Sequence, residues 1–475
     1  MVGITAYGAY IPIYRLGQAE LARAWGGTPR PGEKAVANWD EDSITMAVEA
    51  ALDCMGNMER GLVDGLFFAS TTPPYQEKQN ASIVAMAADL KREAVTADFG
   101  SSLRSGTIAL RSALDAINSG SAKRVLVVSA DCRLGAPKSE YEMVFGDGAA
   151  ALMIGDKDVV AEIEGSYNIT SEFIDIWRIE PERSVRTWED RFILTQGYSE
   201  HLKEAVFGLL KKYNLTPKDF AKAVFYAPDA RNHATMARTL GFDPKAQVPA
   251  PLFATVGNTG SAMAPMMLVS ALEEAKAGDR ILLAGYGDGA DAFIIRVTEG
   301  IEKIRDRRGI KRHLESKMEI PNYEKYLLFR DLLEWEPSLR AGEMQTLLSV
   351  TWRDRKMVYA LYGGRCRKCG TIQLPPQRVC ANCQAKDDNE PVRLSDKKAK
   401  VFTFSMDERS MVPDLPNVLC IADFEGEGGG RFYSVVTDRD PEKIQIGMPV
   451  EMTFRKVHDN FGIHNYYWKC RPIRA

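Results

Sequence analysis

The chain reads as an α/β layered protein with a duplicated half, followed by a pair of metal-binding knuckles and a small β-barrel. Three observations carry that reading. Strand-like and helix-like segments alternate over residues 1–298, one helix-to-strand pattern occurs twice, and four cysteines stand as two CxxC pairs around residue 370. Alternation of this kind predicts helices packed on sheets, because each element has an apolar face to bury.

Taken in order, Phe67-Phe68 lies in a short apolar strand and Asn80 to Lys91 reads as a helix. RVLVVS at 124–129 reads as a fully buried strand, with four apolar residues in six and β-branched enrichment. The repeat pairs SGTIALRSALDAINSGSAKRVLVVSA at 105–130 with TGSAMAPMMLVSALEEAKAGDRILLAGY at 259–286. Each copy has a small-residue start, a helix carrying Ser-Ala-Leu, a Gly stop, a basic residue and an apolar strand. Gly suits the left-handed cap that ends a helix. Small residues at the start let a helix N-terminus approach a ligand or a second helix closely.

Residues 299–319 break the pattern. Arg305, Arg307, Arg308, Lys311 and Arg312 predict a solvated linker or exposed helix, and a domain boundary is expected there. Leu327, Leu328, Phe329, Leu332 and Leu333 predict a helix over 323–342. VFTFSM, RFYSVVTD, PVEMTFRKV and YYWKCRP are short strands between Gly and Asp turns, the pattern of a small barrel. The expected division is 1–298, a linker with helices over 299–345, a segment holding the cysteine pairs over 346–395 and a small β-barrel over 396–475.

Bulk properties narrow the function. The 475 residues suggest about two to four domains. Hydrophobic content of 45% and charged content of 26% suit a soluble globular protein. A net charge of −3 gives no bulk attraction to nucleic acid or anionic lipid. Met1-Val2-Gly3-Ile4 has no basic start or apolar core, so no signal peptide is expected. No apolar run approaches the ~20 residues that span a bilayer. Scattered Cys54, Cys132, Cys420 and Cys470 beside the CxxC pairs indicate a reducing compartment, so a cytoplasmic location is expected.

Cys366-x2-Cys369 and Cys380-x2-Cys383 are the strongest local signal. Each CxxC offers two thiolates from one tight turn, and two such turns complete a tetrahedral Cys₄ site. With all four positions filled by protein, no place is left for a reacting water, so the zinc is expected to be structural. A ribbon beside a barrel can bind nucleic acid, but Glu425, Glu427 and Asp440 interrupt any basic stripe, and no such binding is expected.

GGRCRKCGTIQLPPQRVCANC followed by a small barrel resembles the zinc-ribbon/OB family that accompanies thiolase-fold acyl-CoA enzymes. Residues 1–298 resemble HMG-CoA synthase, on the stretches TADFGSSLRSGT, VVSADCRLGAP, DIWR, KAVFYAP, TVGNTGSA and GDRILLAGYGDGADAF. The resemblance implies a duplicated five-layer thiolase fold, acyl-CoA as substrate, and a homodimer. It also implies a possible complex with another thiolase-fold enzyme or a hydratase.

The positions that carry the family's chemistry differ here. Leu103 stands where the family has the cysteine that accepts the acetyl group, and a leucine forms no thioester. Tyr226, in VFYAP, stands where the family has histidine, and Thr71 falls at or near the family's glutamate. The family's asparagine survives as Asn258, which implies polarisation of a thioester or ketone oxygen. Arg231 falls where a CoA-contacting lysine occurs in the family. By itself, His233 is expected on a helix surface, and Gly287 and Gly289 form an active-site loop or a plain turn.

Three readings follow. One is an aldol, retro-aldol or CoA-dependent retro-Claisen enzyme that needs no covalent acyl intermediate, with Tyr226 as acid/base if its pKa is lowered. The second is an inactive CoA-binding scaffold for a partner enzyme. The third is an HMG-CoA synthase with a displaced nucleophile, for which Cys132 is the nearby candidate.

Overall fold

The computed structural model describes residues 1–250, 252–334 and 345–474. The chain divides into two compact units. The first comprises Met1–Ala37, Asp42–Ala85 and Leu90–Tyr323; the second comprises Asn38–Glu41, Met86–Asp89 and Glu324–Ala475.

Nine strands organise the first unit: β1 (Gly3–Tyr10), β2 (Gly65–Ala69), β3 (Val95–Phe99), β4 (Arg124–Asp131), β5 (Gly148–Gly155), β6 (Ala161–Thr170), β7 (Lys222–Phe225), β8 (Arg280–Tyr286) and β9 (Gly289–Val297). Their hydrogen-bonded order is β7-β8-β9-β6-β1-β5-β4-β2-β3. The halves β7-β8-β9-β6 and β1-β5-β4-β2-β3 are joined through the pairs Gly3–Glu162 and Ile4–Ala161. Helices α1 (Ser43–Met55), α2 (Ser105–Asn118), α3 (Glu200–Tyr213), α4 (Ala230–Thr239) and α5 (Met263–Glu274) cover these strands. α2 and α5 touch each other and strands of both halves, while α1 lies on β1, β4 and β5, and α3 on β6, β8 and β9. The result is a layered α/β thiolase-like arrangement with two buried central helices. β1 and β5 are buried at every residue, which explains why such strands read as unbroken apolar runs.

The two repeated segments become the two central helices with their following strands. Small residues at their starts matter physically. A Cβ on Gly106 would come within 2.6 Å of the Ser129 hydroxyl and 2.9 Å of the Ser261 carbonyl, so only glycine lets α2 approach the start of α5. The helix expected over 80–91 is shorter, Ala81–Ala87: the Asp98 carboxylate accepts from the N–H groups of Asn80 and Ala81 at its start, and the left-handed Asp89 (φ +55°), with the Leu90 N–H on the Ala85 carbonyl, ends it. The strand expected at 124–129 extends to Asp131. Within residues 299–319, Ile301 is buried, Arg305 donates to the carbonyls of Glu273 and Ala275, and Arg307 donates to those of Asp53 and Cys54.

In the second unit, three short strands, Tyr362–Cys366, Ile372–Gln373 and Asn389–Arg393, form the ribbon. Five more form an antiparallel sheet: β10 (Ala399–Asp407), β11 (Asn417–Phe424), β12 (Arg431–Val435), β13 (Pro449–Asn460) and β14 (Ile463–Pro472), in the order β12-β11-β10-β13-β14. Sequence pattern had located four of the five; β11 escaped it. The helix expected over 323–342 is seen as Tyr323–Phe329, and residues 335–344 lie outside the described residues. Among the described residues no helix is long and apolar enough to cross a membrane.

Candidate active site and metal centre

Two neighbouring cavities open in the first unit. One, of about 340 Å³, is walled by Leu103, Phe145, Tyr198, Tyr226, Asn258 and Tyr286 among others. The second, of about 640 Å³, is walled by Thr71, Thr72, Asn80, Asp98, Ser102 and Gly287 among others. Leu103, Arg133, Asp175 and Ile176 belong to both walls. The sequence-derived candidates Leu103, Tyr226 and Asn258 therefore meet at one cavity, and Thr71 stands in the next.

Leu103 precedes α2 and is 8% exposed. Its neighbour Arg104 is fixed by the Ile169 carbonyl at 2.7 Å and Asp291 at 3.4 Å, which holds the start of the helix in place. Tyr226 follows β7, with its N–H on the Ala284 carbonyl and its own carbonyl accepting from the Tyr198 hydroxyl. Asn258 lies in the loop before α5. Its Oδ1 accepts from the Gly260 N–H at 2.9 Å. Its Nδ2 faces the Tyr226 hydroxyl at 3.1 Å and the carbonyls of Ala227 and Pro228 at 3.2 and 3.1 Å. An amide nitrogen has two hydrogens. Those of Asn258 are engaged by protein, so the O–H of Tyr226 is the donor left to face the cavity.

Burial pushes the Tyr226 hydroxyl up to about 12, against smaller downward pulls from Arg133 and the Asn258 hydrogen bond. The sequence argument required a lowered value; the apolar surroundings impose the reverse, because they disfavour a phenolate. Tyr226 is thus a protonated donor over the whole physiological range. Thr71 is no substitute for a glutamate: its N–H and hydroxyl both donate to the Asp131 carboxylate, at 2.7 and 2.9 Å. That carboxylate also accepts from the Ser261 N–H at 2.7 Å and so ties the start of α5 to the end of β4.

Several wall residues escaped the sequence argument. Asp175 is half-buried, burial raises its carboxyl pKa, and it is hydrogen-bonded to the Tyr286 hydroxyl, whose own pKa burial also raises. Arg133 lies over the Phe145 ring, 4.1 Å from its centre. The only signal for these three was their place in the stretches DIWR, VVSADCRLGAP and GDRILLAGYGDGADAF, where no spacing marks chemistry.

Other expectations fared differently. Arg231 is exposed on the first turn of α4, outside the walls of either cavity. Cys132 lines neither; its N–H donates to the Thr72 hydroxyl. His233 is not on the surface but 2% exposed, 4.5 Å from the Phe225 ring and 5.8 Å from Phe253, because its face of α4 turns to the core. Gly287 is both turn and wall: it joins β8 to β9, and a Cβ there would strike the Leu103 and Arg104 backbone nitrogens at 2.9 and 3.0 Å.

In the second unit the four sulfurs of Cys366, Cys369, Cys380 and Cys383 lie within 4.8 Å of one another. The pairs Cys366–Cys383 and Cys369–Cys380 are both 3.6 Å apart. Tetrahedral zinc with Zn–S bonds of ~2.3 Å needs sulfurs roughly 3.8 Å apart, so the residues fit the ion. Gly370, at φ +76°, makes the turn that closes the first knuckle.

Comparison with known proteins agrees with this geometry. Residues 98–171 match the family of 3-oxoacyl-[acyl-carrier-protein] synthase III, and 210–297 its C-terminal part. Residues 353–389 match the ChsH2 rubredoxin-like zinc ribbon and 391–455 the ChsH2 C-terminal OB-fold. Among solved structures, an HMG-CoA synthase complexed with CoA superposes with a TM-score of 0.64 at 21% identity, over 73% of this chain and 95% of that one. The 3-oxoacyl-[acyl-carrier-protein] synthase III of Aquifex aeolicus gives 0.56 at 22%, over 62% and 100%. The hydroxymethylglutaryl-CoA synthase of Methanopyrus kandleri is 36% identical over 70% of this chain and 98% of its own length. That of Methanocaldococcus jannaschii is 35% identical over 70% and 99%. Likeness over nearly the whole of these two enzymes, on a shared fold, places the chain in the hydroxymethylglutaryl-CoA synthase family, with a zinc ribbon and an OB-fold carried on the same polypeptide.

Proposed function

We propose that this chain binds an acyl-CoA ester and makes or breaks the carbon–carbon bond beside the thioester without ever being acylated itself. The observation that carries the reading is that Leu103, standing where the family has its nucleophile, lines the same cavity as Tyr226. An aldol or retro-aldol step leaves the thioester intact and needs only a donor for the enolate oxygen and a proton carrier for the carbinol. In this reading Tyr226 donates to the thioester oxygen as charge builds there, and Asn258 acts through Tyr226 by fixing its hydroxyl. A retro-Claisen cleavage by free CoA would use the same donor.

A separate cleft of about 280 Å³ supports CoA as the carrier. It is lined by Trp25, Arg30 and Lys138, an aromatic face beside two cations, which suits a nucleotide with its phosphates. Arg231 remains a second candidate for a phosphate. The zinc ion is proposed to be structural. The open edge of β3, where Val95 is 65% exposed, supports a homodimer built through the first unit.

The test is an assay of β-hydroxyacyl-CoA and β-ketoacyl-CoA esters, with and without free CoA. Cleavage of β-hydroxy esters without added CoA identifies an aldolase, and strict dependence on CoA with β-keto esters identifies a retro-Claisen enzyme. Tight binding of both classes with no turnover of either sinks the enzyme reading in favour of a scaffold.

A further inference from the structure

Seven carboxylates line the two cavities: Asp98, Glu140, Glu172, Asp175, Asp190, Asp229 and Asp288. Glu140, Glu172, Asp190 and Asp288 are exposed. Asp98 is consumed by the backbone and side chain of Asn80 and the N–H of Ala81. Asp229 caps α4 through the N–H and side chain of Asn232. Asp175 remains. Like Leu103 it lines both cavities, and it shares the wall of the first with Tyr226. Its Oδ1 accepts from the Ile176 N–H at 2.5 Å, and its carboxylate is hydrogen-bonded to Tyr286, so it is oriented without being used up. The Tyr286 ring lies nearly parallel to that of Tyr226, with centres 6.0 Å apart and planes 21° apart. The acceptor and the donor are therefore held on adjacent, mutually packed supports.

Building on the acyl-CoA reading above, we propose that Asp175 is the proton acceptor for the β-hydroxyl of a β-hydroxyacyl-CoA substrate, with Tyr286 as its positioning residue. The step balances without a further reactant. Asp175 takes the hydroxyl proton, the β-carbon becomes a carbonyl, and the Cα–Cβ bond breaks. The electron pair of that bond passes through the enolate to the thioester oxygen, held by the Tyr226 O–H. The protonated Asp175 returns its proton to the α-carbon, releasing a ketone or aldehyde and a shortened acyl-CoA. Run in reverse, the same groups form the bond.

Titration gives a second signature. Tyr286 and Asp288, from the end of β8 and its turn, act on Asp175 directly, and Tyr226 after β7, Arg133, Glu140 and Tyr141 after β4, and Asp190 share its cavity wall. Burial raises the Asp175 carboxyl, and the Ile176 N–H and Tyr286 hydroxyl restrain that rise. Because the base must be ionised, kcat falls as pH drops through this raised value. Removing the Tyr286 hydroxyl moves that fall to higher pH.

The experiment measures kcat and KM against pH for the full chain and for D175N, D175A and Y286F, with a β-hydroxyacyl-CoA ester that the wild type cleaves. D175N is expected to lose roughly 10² to 10³ in kcat with little change in KM, the usual weight of a general base. D175A is expected to regain part of its rate with added formate, which a purely structural aspartate would not show. Y286F is expected to keep most of its rate at high pH, with the acidic limb shifted upward. Unchanged kcat in D175N beside a collapsed Y226F would overturn the role of Asp175 and leave the acyl-CoA reading standing. A wild type that turns over no ester would remove both. Should D175N fail to fold by circular dichroism, an unshifted limb in Y286F still overturns the assignment.

Discussion

The side-chain amide of Asn258 donates to the hydroxyl of Tyr226 across 3.1 Å. That contact fixes the direction of the Tyr226 O–H, since the oxygen accepts from the amide and its own hydrogen points elsewhere. Tyr226→Phe removes this donor with little change in volume. CoA-ester binding is expected to hold while turnover falls about 10²-fold or more. Asn258→Ala leaves the hydroxyl in place but frees its orientation, and an expected loss of about 10-fold to 10²-fold falls on kcat. Because burial holds Tyr226 protonated up to about 12, the rate should show no basic limb between pH 7 and 9 from this residue. Equal weakening of KM by both variants would instead mark them as binding residues.

Leu103 sits at the start of α2, where the positive end of the helix would lower the pKa of a thiol. Wild-type protein incubated with acetyl-CoA should show no acetyl adduct by intact-mass spectrometry. Leu103→Cys should gain one. An adduct on the wild-type chain would reveal a nucleophile elsewhere and end the non-covalent reading.

What could be read from sequence depended on how local the physics was. The cysteine knuckles were legible because a CxxC turn sets its own ligand spacing, and the two central helices because each copy carries its own helix and following strand; the Gly stop holds for α2, where Gly120 is left-handed, but α5 ends in extended backbone at Ala275. The meeting of Tyr226 with Asn258 was legible only through family resemblance. Asp175 and Tyr286 are joined across the fold, and no periodicity reports a contact of that kind. The rise of the Tyr226 hydroxyl pKa was illegible for the same reason: sequence shows a tyrosine after a strand, not how completely its surroundings exclude water. Likewise His233, placed on a helix with polar neighbours, gave no sign that its face of α4 meets Phe225 and Phe253.

The four-sulfur site predicts one zinc per chain by metal analysis of the purified protein. Cys369→Ser or Cys383→Ser should release the metal and melt the ribbon strands, because metal binding and folding are one event in such small sites. A fully folded ribbon in either variant, by hydrogen exchange over residues 362–393, would count against a structural metal.

His233 predicts a pH effect on stability. Burial alone lowers its pKa from 6.5 to about 4. The fold thus prefers the neutral ring, and the stabilisation is fully present above about 6.5 and is lost as pH falls toward 4. At pH 5 the loss is about 2 kcal/mol by linkage. His233→Phe keeps an aromatic ring against Phe225 and removes the proton site. Between pH 7 and 5 its Tm should fall less than that of the wild type; parallel curves would show that His233 titrates freely.

A last prediction concerns the charges enclosed within the second unit. Arg455, fully buried, contacts Asp40 at 3.3 Å, Glu41 at 2.6 Å and Asp438 at 2.5 Å. Lys469 reaches Asp40 at 2.8 Å. Asp40 and Glu41 come from the short segment Asn38–Glu41, far from Arg455 in sequence yet part of the same compact unit. Burial alone would raise the Asp40 carboxyl, but Lys469 and Arg455 together bring it below its ordinary value of 3.8. A depressed carboxylate stabilises the fold above its unfolded value and ceases to do so as pH falls through the folded one, so this cluster should contribute to acid unfolding below about pH 4. Arg455→Met leaves three buried carboxylates without their shared cation. Removing one partner of a buried pair costs about 3–5 kcal/mol, because the desolvation of the charges left behind is no longer offset. Asp40→Asn keeps the shape and one acceptor and should cost less at pH 7 while flattening the acid transition. Denaturant unfolding followed by hydrogen exchange over β13 and β14 would measure both. An Arg455→Met protein as stable as the wild type would mean that the carboxylates protonate or rehydrate when the cation is removed, and that this cluster contributes little to holding the unit together.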